Sequence, residues 1–137
     1  MNIKAGVIAG FVATVVLSLV MVMKTAMGVM PELNAIKMLA GMMNMPLVTG
    51  WVAHFMIGTV VWGVLFAALV NKLPGSTLMS AIIFSIGAWL MMMIGPMPMA
   101  GAGLFGMNLG MMAPVATLVL HLIWGVVLGL TYKKIAS

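Results

Sequence analysis

The chain has 137 residues, of which 65% are hydrophobic and 5% charged, with a mean hydropathy of +1.31. Six lysines and one carboxylate, Glu32, give a net charge of +5. Water-soluble domains carry about 25% charged residues, so the chain takes lipid as its solvent. The absence of cysteine excludes disulfides, thiolate catalysis and cysteine-held metal clusters.

Backbone groups in hydrocarbon must bond internally, which leaves helices or closed barrels. Barrel strands alternate apolar and polar residues, and these segments are apolar on every side. The expected fold is therefore all-α: one integral membrane domain over 1–137, a four-transmembrane-helix bundle. The spans are expected at about 3–30, 47–70, 76–94 and 112–132. Met1-Asn2-Ile3-Lys4 opens the first span. The apolar run after it is longer than the roughly 7–15 residues of a signal-peptide core, and it reads as a retained anchor.

Pro31-Glu32 suits the start of a new element, with proline in a first turn and glutamate on the positive end of the helix dipole. To about Met43, Leu33, Ile36, Ala40 and Met43 share one face, and Asn34, Lys37 and Gly41 the other. That pattern predicts a short amphipathic helix in the membrane interface. Asn44-Met45-Pro46 breaks it before the second span, and Asn71-Lys72-Leu73-Pro74-Gly75 turns the chain into the third. Residues 95–110 are rich in Gly, Pro, Met and Ala and carry no charge. They are expected to dip into the interface or line a cavity, where irregular backbone is tolerated. Tyr132, Lys133 and Lys134 close the fourth span at the headgroups, and Trp51 reads as a second interface anchor.

Four spans put both termini on one side, with Lys4, Lys72, Lys133 and Lys134. Lys24, Lys37 and Glu32 fall on the other. The positive-inside rule then predicts cytoplasmic termini in a bacterial inner membrane. The order Gly-Met-Met, Pro, His, Gly occurs twice, as Gly41-Met42-Met43, Pro46, His54, Gly58 and as Gly110-Met111-Met112, Pro114, His121, Gly125. It predicts two parallel two-helix repeats. Chance similarity between such biased segments is the rival explanation.

The chain also resembles a family of small four-helix bacterial membrane proteins catalogued as a domain of unknown function. The resemblance rests on Met30-Pro31-Glu32-Leu33, Gly50-Trp51-Val52-Ala53-His54-Phe55, Leu73-Pro74-Gly75, the run from Pro98 to Gly106, and His121-Leu122 with Gly125 and Gly129. It implies the four-helix membrane fold and supplies no catalytic residues.

Candidate chemistry is sparse. His54 and His121 each fall about eight residues into a span and at matched depth, about 10–12 Å along their helices. Ionisable groups inside membranes point to function, and paired neutral imidazoles suit haem b or copper. The plainer reading is hydrogen-bonded packing between helices. Met99 and Met111 are the candidate thioether donors to Cu(I), although methionine also simply fills apolar gaps. Lys24 and Glu32 are expected to form a charge pair, with Lys37 the alternative partner of Glu32. Gly6, Gly10, Gly58, Gly63, Gly125 and Gly129 read as close helix contacts. Trp62, Trp89 and Trp124 read as deep residues that need partners for their N–H groups, in protein–protein packing or in contact with a bound ring.

No nucleophile–base–acid set, paired carboxylates or phosphate loop appears, so the chain is read as a non-enzyme with no default cofactor. Scattered lysines and the lack of arginine argue against nucleic acid. The leading expectation is a non-catalytic accessory subunit of a larger bacterial membrane complex, redox- or copper-linked, or a homo-oligomer. The alternatives are a haem- or copper-binding module using His54 and His121, and a small transporter or channel.

Overall fold

A computed structural model describes residues 1–136. Among them there is no strand, and four helices are long and apolar enough to cross a membrane. They are α1 (Ile3–Ala26), α3 (Leu47–Leu69), α4 (Thr77–Ile94) and α5 (Ala113–Ala136), with a short α2 (Ala35–Met43) between the first two. The all-α four-helix bundle expected from composition is the observed fold.

Caps set the helix ends. The Asn2 side chain accepts the N–H of Ala5, and Ser76 accepts that of Met79, each satisfying an orphan donor of a first turn. α1 stops at Ala26 rather than continuing towards Met30. Gly28 and Met30 take positive φ, and the Lys24 ammonium draws the following carbonyls together. α2 starts at Ala35 rather than at Pro31. Its cap is Asn34, which accepts from Ile36 and Lys37, so the Pro31-Glu32 segment is a turn. Leu33, Ile36 and Ala40 are buried as their spacing predicts, whereas Met43 is exposed. The buried face lies on the start of α3, where Gly50 meets the Ile36 carbonyl.

α1 packs between α3 and α5, and α5 packs on α4. Both tight pairings use small residues. A Cβ at Gly63 would stand 2.6 Å from the Gly6 carbonyl oxygen, and one at Gly10 would stand 2.6 Å from that of Gly58. On the other side, Gly125 lies against Ser85, and a Cβ at Gly129 would meet that of Ala81 at 2.8 Å. Lipid removes the hydrophobic drive between helices, so such close van der Waals contact is what holds a bundle together. The two pairings correspond: Gly58 sits on Thr14 of the preceding span as Gly125 sits on Ser85.

α3 departs from regularity at Ile57–Val61, a π-helical turn in which the Trp62 N–H bonds to the Ile57 carbonyl. Five residues carry an α-helix roughly 140° past a full turn, so Gly58 and Gly63 would face apart. A π turn bonds five residues back, and both glycines then face α1. α3 and α4 meet through rings: Phe84 lies 5.6 Å from Trp62 and 5.3 Å from Phe66, centroid to centroid. Beyond Trp62, towards the connectors, no ring contact joins the two helices among the described residues.

The connector from α4 to α5 folds back on the bundle. A one-turn helix, Pro96–Met99, and a 3-10 segment, Leu104–Leu109, bury Met97, Ala102 and Gly106. The sharp reversals use Gly101, Gly103, Gly106 and Gly110 at positive φ, where a side chain would be strained.

Candidate intramembrane binding site

Beyond that ring contact, a cavity of about 240 Å³ lies among the four helices. Thr14, Leu17 and Met21 of α1, His54, Ile57 and Gly58 of α3, Ala88, Met91 and Met92 of α4, and Thr117, Leu120 and His121 of α5 form its walls. Leu33, Met38 and Leu39 around α2, with Pro96 and Met97, cover the connector end. Trp62 and Trp124 form the opposite end. Ile57 and Met91, on the α3 and α4 walls, are 36% and 61% exposed, which places the mouth between α3 and α4, towards lipid.

His54 and His121 therefore line one cavity from two parallel helices. Thr14 fixes their common height. Its Oγ1 lies against Gly58 and accepts the Trp124 N–H at 3.3 Å, and each histidine is about one turn further along its helix towards the connectors.

Neighbouring groups set the tautomer of each ring. The Ser18 hydroxyl donates to the Thr14 carbonyl at 2.7 Å, so its one proton is committed. His54 Nε2, 3.1 Å from Ser18 Oγ, must then be the donor, and Nδ1 keeps its lone pair. His121 is the reverse. Its Nδ1 donates to the Thr117 carbonyl at 2.8 Å, leaving Nε2 as acceptor. As neutral imidazoles the two rings are opposite tautomers, each with one unshared pair. A metal-ligating histidine usually anchors one ring nitrogen through N–H to a carbonyl or carboxylate and binds with the other. His121 has that arrangement, whereas His54 is anchored by a hydroxyl and left with Nδ1.

Several expected site residues lie elsewhere. Met99 is 75% exposed and Met111 81% exposed, and neither lines the cavity. Both sit in or beside the folded-back connector, whose turns hold Met97 inward and Met99 outward. The thioethers at the cavity are those of Met21, Met38, Met91, Met92 and Met97. No group of three or more His, Cys, Asp or Glu side chains suited to a metal occurs among the described residues. Lys24 does not form an ion pair with Glu32. Its ammonium donates to the carbonyls of Val29, Met30 and Leu33, at 3.2, 2.8 and 2.9 Å. The chain reversal turns those oxygens out of the helix, the Met30 one also accepting the Leu33 N–H, and they converge where the ammonium can reach them. Glu32 acts on it only through space.

Two of the three deep tryptophans have the N–H partners expected of them. Trp89 donates to Thr117 Oγ1 at 2.9 Å, and Trp124 to Thr14. Trp62 packs on Phe84. Tyr132 is buried rather than anchored at the headgroups, with its ring edge-on to Phe66 at 5.2 Å. Sequence reasoning missed Ser18, whose hydroxyl orients His54, and the Thr14 and Thr117 carbonyls that complete the two arrangements. Ser18 alone had a signal, as a hydroxyl residue inside an apolar span. Sequence reasoning also missed the π turn, marked by the five-residue interval between Gly58 and Gly63.

No curated protein and no solved structure matches the chain. A family model described as a family of unknown function (DUF6789) matches residues 1–137. Since the match spans the full length, the helices, the connectors and both cavity histidines all fall within it, and the chain belongs to that family.

Proposed function

We propose that the chain is a non-catalytic integral membrane protein whose cavity holds a small lipid-soluble molecule, in a bacterial inner membrane with both termini in the cytoplasm. The observation that carries this reading is the placement of His54 and His121, from two different spans, on one apolar cavity with a lateral mouth. Ligand sites are commonly apolar concavities with a few convergent polar groups, and two acceptor nitrogens among thioethers and indoles fit that description. The packed rings of Trp62, Phe84 and Trp124 close the cavity towards the termini, which favours a receptacle over a channel.

The test is to extract the protein in native lipid particles and identify by mass spectrometry the small molecules that accompany it. The wild type is expected to retain a compound that an Ala88→Leu variant, with its cavity narrowed from the α4 wall, loses. Identical lipid profiles for both proteins would sink the reading.

A second reading, a subunit docked on a larger membrane assembly, rests on Gly87. It is exposed in mid-α4, and a Cβ there would meet nothing within 4 Å. Glycine in a spanning helix costs helix propensity and usually marks close helix approach. Cross-linking from position 87 in intact membranes should capture another polypeptide if this reading holds, and lipid alone if it does not.

A further inference from the structure

We propose that the cavity selects a hydroxylated aromatic ring, a hydroquinone or phenol carried on an apolar tail, and that it reads the ring's O–H donors with His54 Nδ1 and His121 Nε2. This rests on the binding reading above and names the ligand class.

Three observations point the same way. The first is polarity. Ser18 fixes His54 with its proton on Nε2, and the Thr117 carbonyl fixes His121 with its proton on Nδ1. Both histidines line the cavity, and each keeps one ring nitrogen free to accept. A ligand bearing donors is matched, whereas one bearing only acceptors, such as a quinone or an aryl ether, leaves lone pairs opposed and unsatisfied in an apolar site, where that costs most. The second is shape. One end of the cavity is made by the indoles of Trp62 and Trp124, and the thioethers of Met21, Met91 and Met92 line its walls. Aromatic faces and thioethers favour a ring over an acyl chain. A volume of about 240 Å³ exceeds what a single ion fills, and it is below the roughly 300–1,000 Å³ of pockets that enclose a whole drug-sized ligand. A ring inside with its tail outside satisfies both limits. The third is access. The mouth between Ile57 and Met91 faces lipid, so a tail can remain in the bilayer while the ring enters.

The test is calorimetric titration of the protein in lipid nanodiscs, under anaerobic conditions. The probes are a decyl-substituted benzohydroquinone, its oxidised quinone and its dimethyl ether. The hydroquinone is expected to bind at least tenfold more tightly than either of the others. His54→Phe and His121→Phe, which keep ring-shaped side chains, should each shrink that preference several-fold, and the double variant should abolish it. Unchanged affinity for the dimethyl ether would show that the variants still fold and retain the cavity. Equal binding of all three probes to the wild type overturns the donor-reading proposal and leaves the cavity as a site for apolar molecules. Binding of none overturns the binding function as well. A preference that survives in the double variant shows that other groups read the ring, and it also defeats the proposal.

Discussion

The bundle has two unlike halves built from the same four helices. In the half nearest the termini, Ala5, Ala9, Phe66, Ala67, Ala81 and Leu128 are all buried to within 1%. Their small side chains let backbones touch, and a ring series from Tyr132 through Phe66 and Phe84 to Trp124 fills the centre. In the half nearest the connectors, the buried cluster is Leu33, Met93, Met97 and Ala102, with Met30, Met38 and Met92 only half-buried against it. Rigid rings and glycines close one end. Flexible thioethers line a cavity at the other. Methionine adapts to irregular space without specifying it, so a site that must open and close around a guest is better placed in the second half.

The comparison breaks most sharply at the glycines. Gly63→Leu should destabilise the fold by about 3 kcal/mol or more, because the new Cβ meets the Gly6 backbone, which cannot move aside as a side chain can. Gly87→Leu has open space and is expected to be nearly neutral or slightly stabilising in the isolated protein. Thermal unfolding in detergent, followed by circular dichroism, separates the two. If both variants melt together, the small-residue contact is not what holds α1 to α3.

Truncation of core side chains should show the same asymmetry. Phe84 joins Trp62, Phe66 and Trp124 in the closed half, and Phe84→Ala should cost about 3 kcal/mol, at the low end for such a change because lipid supplies little transfer energy. Met92→Ala, on a wall that already borders empty space, should cost about 1 kcal/mol or less. Unfolding by SDS in mixed micelles measures both, and equal costs would mean that the two halves are packed alike.

The lysine at the end of α1 tests how the connector half is held. Lys24→Met leaves the carbonyls of Val29, Met30 and Leu33 without their common donor. A local loss of about 1–3 kcal/mol is expected, seen as faster hydrogen exchange over residues 28–36 with little change near Phe66. Uniform exchange changes along the chain would count against a local role.

Much of this contrast was written in the sequence, but unevenly. Apolar runs of span length and an almost uncharged composition determine four helices. Gly6, Gly10, Gly125 and Gly129 recur at helical spacing, so their contacts could be anticipated. The connector was legible as uncharged and irregular, but its path was not. Which of Met97 and Met99 turns inward depends on positive-φ turns at Gly101, Gly103 and Gly106 that no periodicity records. That the Lys24 ammonium is held by carbonyls, with Glu32 acting on it through space, was hidden for a similar reason. Opposite charges are visible in a sequence, whereas three carbonyls brought together by a chain reversal are not. The histidines were found as ionisable residues in apolar spans, while the Ser18 hydroxyl that orients His54 became meaningful only through a contact across helices, and the carbonyl that orients His121 is a backbone group that no side-chain pattern records.

Ser18 stands at the boundary between the halves and gives the finest test. Its hydroxyl ties His54 to the Thr14 carbonyl, on the residue that also holds Trp124 and abuts Gly58. Ser18→Ala removes one hydrogen-bonded chain and should cost about 0.5–1.5 kcal/mol. Its more telling effect is on the proton. In the wild type, nitrogen NMR of labelled imidazoles should show His54 protonated at Nε2 and His121 at Nδ1. In Ser18→Ala, His54 loses the acceptor that fixes it and should give a signal averaged between tautomers, while His121, held by its own helix carbonyl, stays as it was. A change of tautomer at His121, or none at His54, would show that the two rings are oriented by something other than the groups beside them. The chemical polarity assigned to the cavity would then have to be redrawn.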